Sequence, residues 1–200
     1  MNALGRAILN SPARAYAQEH IVIPLLQSMG ATLAGCRVLE IGCGRGVGTG
    51  LVIDALGALS VDAIDLDPRM VRRAERRLRR ASAITVSLGD MTCLAYRDDS
   101  YDAVVDFGAM HIEPRWRISI REIHRVLKPG GRFLFEQVAG GPYRLLTPLA
   151  TGRRVTDALT ARTLIDELRT VGFEINATAR RRALALTGTV GDLVGLATKR

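Results

Sequence analysis

Between residues 40 and 46 an acid and three glycines alternate with other residues, as Glu40-Ile41-Gly42-Cys43-Gly44-Arg45-Gly46. Glycines so spaced let a backbone turn tightly and approach a ligand closely, with the N–H groups of a following helix facing it. A dinucleotide fingerprint needs G-x-G-x-x-G. Counted from Gly42 the sixth residue is Val47, and counted from Gly44 it is Thr49. The register fits neither way.

Asp65 follows Gly46 by 19 residues and ends a strand-like run. A carboxylate there can accept from two adjacent ribose hydroxyls, and it would repel a 2′-phosphate. Met70 lies in the next turn, where an apolar side chain can cover a nucleobase, while Asp67-Pro68 reads as a helix cap and first position. Gly89-Asp90-Met91 ends a third strand-like run. For proton transfer the foremost candidate is His111, just after a fourth such run in Asp106-Phe107-Gly108-Ala109-Met110-His111-Ile112. An imidazole titrating near neutrality suits removal of a proton from a hydroxyl or an acidic carbon. Glu113 and Glu136 are secondary. Glu136 falls near the C-terminal end of a fifth run, the side where open α/β sheets place ligands. His20 would reach the site only if an N-terminal helix acts as a lid, and His124 carries no role. Cys36, Cys43 and Cys93 are odd in number, with no Cys-x-x-Cys and no histidine nearby. Free thiols are expected there, and no metal site.

The elements that must hold these residues alternate between β-type and helical patterns, the mark of a doubly wound α/β domain. Strands are predicted at 37–42, 61–65, 84–88, 101–107, 132–138, 173–180 and 193–199. A helix starting at Ser11-Pro12 would carry Ala13, Ala17 and Ile21 and be kinked or ended near residue 23 by Pro24. Others run over 47–56 and from Pro68, with Val71, Ala74, Leu78 and Ala81 on one face. A helix from Pro114 carries Trp116, Ile120, Ile123 and Leu127 and stops at Pro129-Gly130-Gly131, and another over 157–171 ends at Gly172.

At 200 residues, 48% hydrophobic and 24% charged, the chain fits one globular domain and excludes a disordered, collagenous or disulfide-scaffold protein. Aromatics at 4% argue against a stacking platform for single-stranded nucleic acid. No apolar run approaches the ~20 residues of a membrane span, and the N-terminus lacks a signal-peptide core. A soluble, cytoplasmic monomer or homodimer is the expectation. The net charge is +8, and 26 of the 28 basic residues are arginine. Residues 69–80 hold seven arginines and one glutamate. That stretch reads as the solvated face of an amphipathic helix in preference to a nucleic-acid patch, and Arg180-Arg181-Arg182 is read the same way.

Four segments in order, VLEIGCGRG, VDAIDLDPRMV, GDMTCLAYRDDSYDAVV and REIHRVLKPGGRF, resemble the class I S-adenosylmethionine-dependent methyltransferases. The likeness is closest to the small-molecule group that includes the ubiquinone/menaquinone-biosynthesis type, and it covers 36–140 by motif. It implies a Rossmann-like, seven-stranded, mostly parallel sheet with an antiparallel last strand and helices on both faces. The single domain would comprise an N-terminal helical lid (1–35), a cofactor-binding core (36–140) and a C-terminal half with the substrate-side connection (141–200). The implied cofactor is S-adenosylmethionine, with S-adenosylhomocysteine as product. By the same resemblance Glu40 and Gly42 meet the methionine moiety, and Gly44 and Gly46 lie beside the ribose and sulfonium. Asp65 binds the ribose, Leu66 and Met70 flank adenine, and Asp90 accepts from its amino group beside the Met91 backbone. Asp106 opens the motif near the transferred methyl. The catalytic candidates are thus His111, Glu136 and Asp106. No Asn/Asp-Pro-Pro-Tyr/Phe sequence follows the fourth strand, unlike the amino-methylating DNA and protein enzymes of that type. The expected acceptor is a small molecule reacting at carbon, oxygen or nitrogen. An RNA or protein methyltransferase using the arginine-rich surface, and a cofactor-binding module without catalysis, stand as alternatives.

Overall fold

In the computed structural model, which describes residues 11–137, 159–180 and 193–200, β1 (Arg37–Ile41) is buried at every position but its first. A run without polar alternation is what a strand covered on both faces requires. β2 (Ser60–Asp65) and β4 (Tyr101–Phe107) flank it in parallel, with β3 (Ile84–Leu88) outside β2 and β5 (Leu127–Gln137) outside β4. β6 (Phe173–Arg180) and β7 (Leu193–Lys199) complete the order β3-β2-β1-β4-β5-β7-β6. β7 runs antiparallel between β5 and β6. This is the expected doubly wound sheet with its one reversed strand. The strand order turns back between β1 and β4, and open sheets bind ligands at the carboxyl ends beside such a switch.

Two cores lie on opposite faces of the sheet, because side chains alternate along each strand. Val104 and Phe133 pack with Trp116, Ile120 and Ile123 of α5 (Trp116–Val126) and with Leu164 and Leu168 of α6 (Ala161–Val171). Ala103, Val105 and Leu134 face the other way, onto Val22, Leu26 and Val52 of the N-terminal helices and α3 (Val47–Asp54). α4 (Pro68–Leu78) covers β2 and β3, capped by Asp67, whose side chain accepts from the Arg69 N–H.

Three local expectations are refined. Of the kink or end expected at Pro24, the end does not occur. α1 (Pro12–Ala17) passes through a π-turn at Gln18–Val22 and continues as α2 (Ile23–Ser28). The wider turn makes room for a ring that has no N–H to donate. Of Ala13, Ala17 and Ile21, only Ala17 is buried. Arg14, Ala17, Gln18, Val22 and Leu26 are buried, whereas Ala13 is exposed, because this face covers a polar site before it reaches the core. Finally, α5 starts at Trp116 and ends at Val126, not at the Pro-Gly-Gly. Leu127 already takes an extended conformation and pairs with Tyr101. Ala103 then pairs with Arg132, so residues 128–131 form a bulge in which Gly130 adopts φ +75°. The connection at 139–155, Arg181 and Arg182 lie outside the described residues.

Candidate active site

A cavity of about 420 Å³ opens at the carboxyl ends of β1, β2 and β4. Its floor is the glycine loop between β1 and α3. Gly42, Gly44 and Gly46 all have positive φ, at +68°, +58° and +79°, a region costly for any other residue. A Cβ on Gly42 would also collide with Ala109, so this glycine admits the loop after β4. Gly46 begins α3 and does not line the cavity. A Cβ there would strike Leu78 and Ala74, so its bareness seats the glycine loop against α4.

Asp65, at the end of β2, ties the first two loops together. Its Oδ2 accepts from the Gly44 N–H and its Oδ1 from the Asp67 N–H, both at 2.8 Å. Burial raises its pKa against the pull of those two bonds. Glu40 is buried and accepts a hydrogen bond from the Thr49 hydroxyl. Burial above all pushes its pKa up to about 8; the Thr49 bond opposes this, and the charges of Asp106 and Asp65 add to it. Leu66, Met70 and Met91 supply an apolar flank. A wall with carboxylates at Glu40 and Asp65 and an apolar slot beside them has the chemistry to hold a cationic amino acid joined to a nucleoside. Seven of the proposed cofactor residues line this cavity: Glu40, Gly42, Gly44, Asp65, Leu66, Met70 and Met91. Asp90 stands off it. Its Oδ1 accepts from both the N–H and the hydroxyl of Thr92, and its Oδ2 lies 3.3 Å from Arg115.

None of the three catalytic candidates lines the cavity. Asp106 is fully buried and organises the loop after β4: its Oδ1 accepts from the Ala109 N–H and its Oδ2 from Met110 N–H and Gln137 Nε2. Burial pushes its pKa up to about 6 against those bonds. Glu136, also fully buried, receives Arg14 in a two-pronged bond, Nη1 to Oε1 at 2.6 Å and Nη2 to Oε2 at 2.7 Å. His111 lies in the 3-10 turn Met110–Ile112, its backbone N–H donating to Gln137 Oε1. Burial, and then the charge of Arg14, push the imidazole down to about 3. The expectation of a base titrating near neutrality is therefore corrected: at pH 7 this ring is neutral and weakly basic. Of the acid–base candidates only Glu113 reaches the lining, where its Oε1 accepts from the Arg115 N–H. His20 is half exposed and stacks on Tyr16, away from the cavity. His124 packs edge-on against Phe173.

The main residue missed from sequence is Arg14. It comes from α1, lines the cavity, and also donates to the Phe107 carbonyl at 2.8 Å. One signal could have found it. An arginine in the first turn of a helix opposes the positive end of the helix dipole, so it calls for an acidic partner elsewhere. Ser11 and Gln18 join it on the wall, and Arg45 Nη2 donates to the Ser11 carbonyl, binding the start of α1 to the glycine loop. Gly48 was missed as well; a Cβ there would run into Glu40 and Phe107.

Residues 38–131 match the family model described as a methyltransferase domain. The match covers just under half of the chain, and with the sheet and the glycine-loop cavity it makes this part of the chain similar to a methyltransferase domain. Among relatives, the chain is 35% identical over 108 residues to a protein named probable phthiotriol/phenolphthiotriol dimycocerosates methyltransferase 2 from Mycobacterium ulcerans, covering 54% of this chain and 42% of that one. It is 34% identical over 105 residues to a fatty-acid O-methyltransferase from Mycolicibacterium smegmatis, covering 52% and 38%. The matches thus span about two fifths of those relatives' length. A crystal structure of an S-adenosylmethionine dependent methyltransferase from Mesorhizobium loti shares the fold with a TM-score of 0.69 at 24% identity, over 88% of this chain and 96% of that one.

Proposed function

We propose that the protein transfers a methyl group from S-adenosylmethionine to an oxygen of a small, largely apolar acceptor. The observation that carries this reading is the division of the cavity wall. Carboxylates and an apolar slot face one side, and the other is built by α1, Gly108, Ala109 and Ile112. The names of the curated relatives, one of them a fatty-acid O-methyltransferase, support an apolar acceptor with an oxygen nucleophile.

Bound in this cavity, S-adenosylmethionine would supply an electrophilic methyl carbon. The chain's own part is positional. Asp65 would accept from the ribose hydroxyls while holding Gly44 in place. Glu40 would face the cationic methionine end, and Leu66, Met70 and Met91 would pack on the base. Asp106 and Gln137 fix the loop carrying Ala109 and Ile112, and the Arg14–Glu136 pair fixes the helix opposite. Proximity and alignment in such a site can supply much of the rate acceleration. Among the described residues no histidine lines the wall, which suits an acceptor already ionised at neutral pH. A carboxylic acid, with a pKa near 4–5, needs no base to become a nucleophile.

Calorimetry should show binding of S-adenosylhomocysteine and none of NAD; a preference for NAD would overturn the reading. With labelled S-adenosylmethionine, a long-chain fatty acid should gain one CH2 in mass ahead of a panel of amines and quinols.

The buried Glu40 adds a test with opposite signs. As pH rises from about 5 to 8 the unfolded chain gives up this proton while the folded protein retains it, so Glu40 destabilises the fold increasingly across that window. Glu40→Gln should therefore melt higher than wild type at pH 8, by roughly 5 °C, with the gap closing toward pH 5. The same variant should bind S-adenosylmethionine more weakly, because a bound cation can draw the proton off Glu40 and pair with its carboxylate, whereas glutamine has no proton to give up. Equal melting curves at pH 8 would show that Glu40 is not held protonated.

A further inference from the structure

All seven arginines between Arg69 and Arg80 are exposed, and none of them makes an ion pair among the described residues. Several arginines elsewhere are matched to acids, and those that are not among the described residues, such as Arg97 and Arg169, stand apart in the sequence, whereas these seven fall within twelve residues. Arg117 and Arg121 share Glu167, Arg125 holds Glu122 and Asp98, and Arg37 holds Asp62. At 100° per residue Arg69, Arg72, Arg73, Arg76 and Arg77 cover roughly 140° of the helix surface, opposite the buried Val71 and Ala74, and Arg79 and Arg80 follow in the turn after the helix. Arg69, Arg73 and Arg77 repel one another at four-residue spacing on the helix, as do Arg72 and Arg76. Arg45, on the cavity wall, extends the patch: after partial burial, Arg77 and Arg73 lower its pKa.

A second observation lies at the edge of this face. Leu66 and Leu88 are 63% and 61% exposed, among the few large apolar side chains left open to water. Asp65 pairs with Leu88 across β2 and β3, so the two leucines share one end of the sheet, beside the start of α4. Tyr16 is the aromatic member of that exposed set, and it stacks on His20 at the other helix, so the patch offers no ring for bases to stack on.

We propose that the arginine face of α4, with Leu66 and Leu88 at its edge, docks the protein on the anionic surface of a lipid bilayer. Clustered cations are drawn to acidic headgroups within a Debye length, and exposed leucines at the rim can enter the headgroup boundary. Leu66 and Pro68 belong to both this rim and the cavity wall, so an apolar acceptor carried in the bilayer would lie beside the mouth of the site. The docking itself does not depend on which acceptor is methylated.

Vesicle flotation at physiological ionic strength tests it. The protein should float with phosphatidylcholine vesicles containing phosphatidylglycerol and not with phosphatidylcholine alone. Combining Arg72→Glu, Arg76→Glu and Arg80→Glu should lower the partition coefficient by roughly a hundredfold while leaving S-adenosylhomocysteine affinity unchanged. Leu88→Ser should weaken it several-fold. Should the triple reversal not fold, Arg72→Gln with Arg76→Gln should give a smaller loss in the same direction. Equal flotation with neutral vesicles, no flotation with anionic ones, or wild-type partition by the arginine variants would overturn the proposal. Tighter binding of a single-stranded RNA than of anionic vesicles at matched phosphate would overturn it too, and would make the face a nucleic-acid surface.

Discussion

Glu136→Ala should lower the stability of the protein by about 3–5 kcal/mol, the cost of leaving a buried charge without its counter-charge. Arg14 is only 6% exposed, and Glu136 is fully buried at its end of the two-pronged bond. Removing the carboxylate strands a guanidinium that cannot reach bulk water without pulling α1 off the sheet. At this chain length a loss of that size moves the melting point by roughly 10 °C, readable by urea titration as well as by heating. The double variant Arg14→Met with Glu136→Leu should recover most of the loss, since apolar residues of similar volume often replace a buried pair at little cost. A single variant within about 1 kcal/mol of wild type would show that α1 is held by something else.

Asp65→Ala should weaken S-adenosylhomocysteine binding roughly a hundredfold or more, measured by calorimetry. Each charge-assisted bond to a ribose hydroxyl is worth about 1.5–3 kcal/mol, and two are expected. The structure adds a second source of loss. Both carboxylate oxygens already hold backbone N–H groups, of Gly44 and Asp67, so the alanine frees the glycine loop as well as removing acceptors. Asp65→Asn separates the two effects. It keeps one carbonyl acceptor and should fall between alanine and wild type. Wild-type affinity in the alanine variant would put the ribose elsewhere.

Much of the sheet was readable in the chain because strand burial is a local pattern. β3, β4, β6 and β7 occupy the predicted ranges, and the glycine loop and Asp65 fall at strand ends where their spacing put them. What could not be read was any property that depends on residues far apart. Arg14 and Glu136 are separated by 122 positions, so nothing near Glu136 announces that its carboxylate is taken. His111 looks like a base in its own segment; its weak basicity comes from burial among other elements and from Arg14, nearly a hundred positions earlier. The offset of the N-terminal stripe has the same origin. A helix that roofs a polar site turns an arginine and a glutamine inward, against the rule that apolar residues mark the buried face. The bulge at 128–131 was hidden differently: Pro-Gly-Gly signals a helix stop, and only the pairing of Leu127 with Tyr101 shows that the helix has already ended.

The pinning of α1 also has a consequence in time. Ser11, Arg14 and Gln18 form part of the wall around any ligand in the cavity, and Arg14 and Arg45 clasp that wall at two points. Local opening of one short helix takes far less free energy than unfolding the sheet, so it recurs often on the timescale of turnover. In the proposed enzyme, spent cofactor would leave no faster than this clasp lets go, and the Arg14–Glu136 pair would then act as an escapement on the cycle.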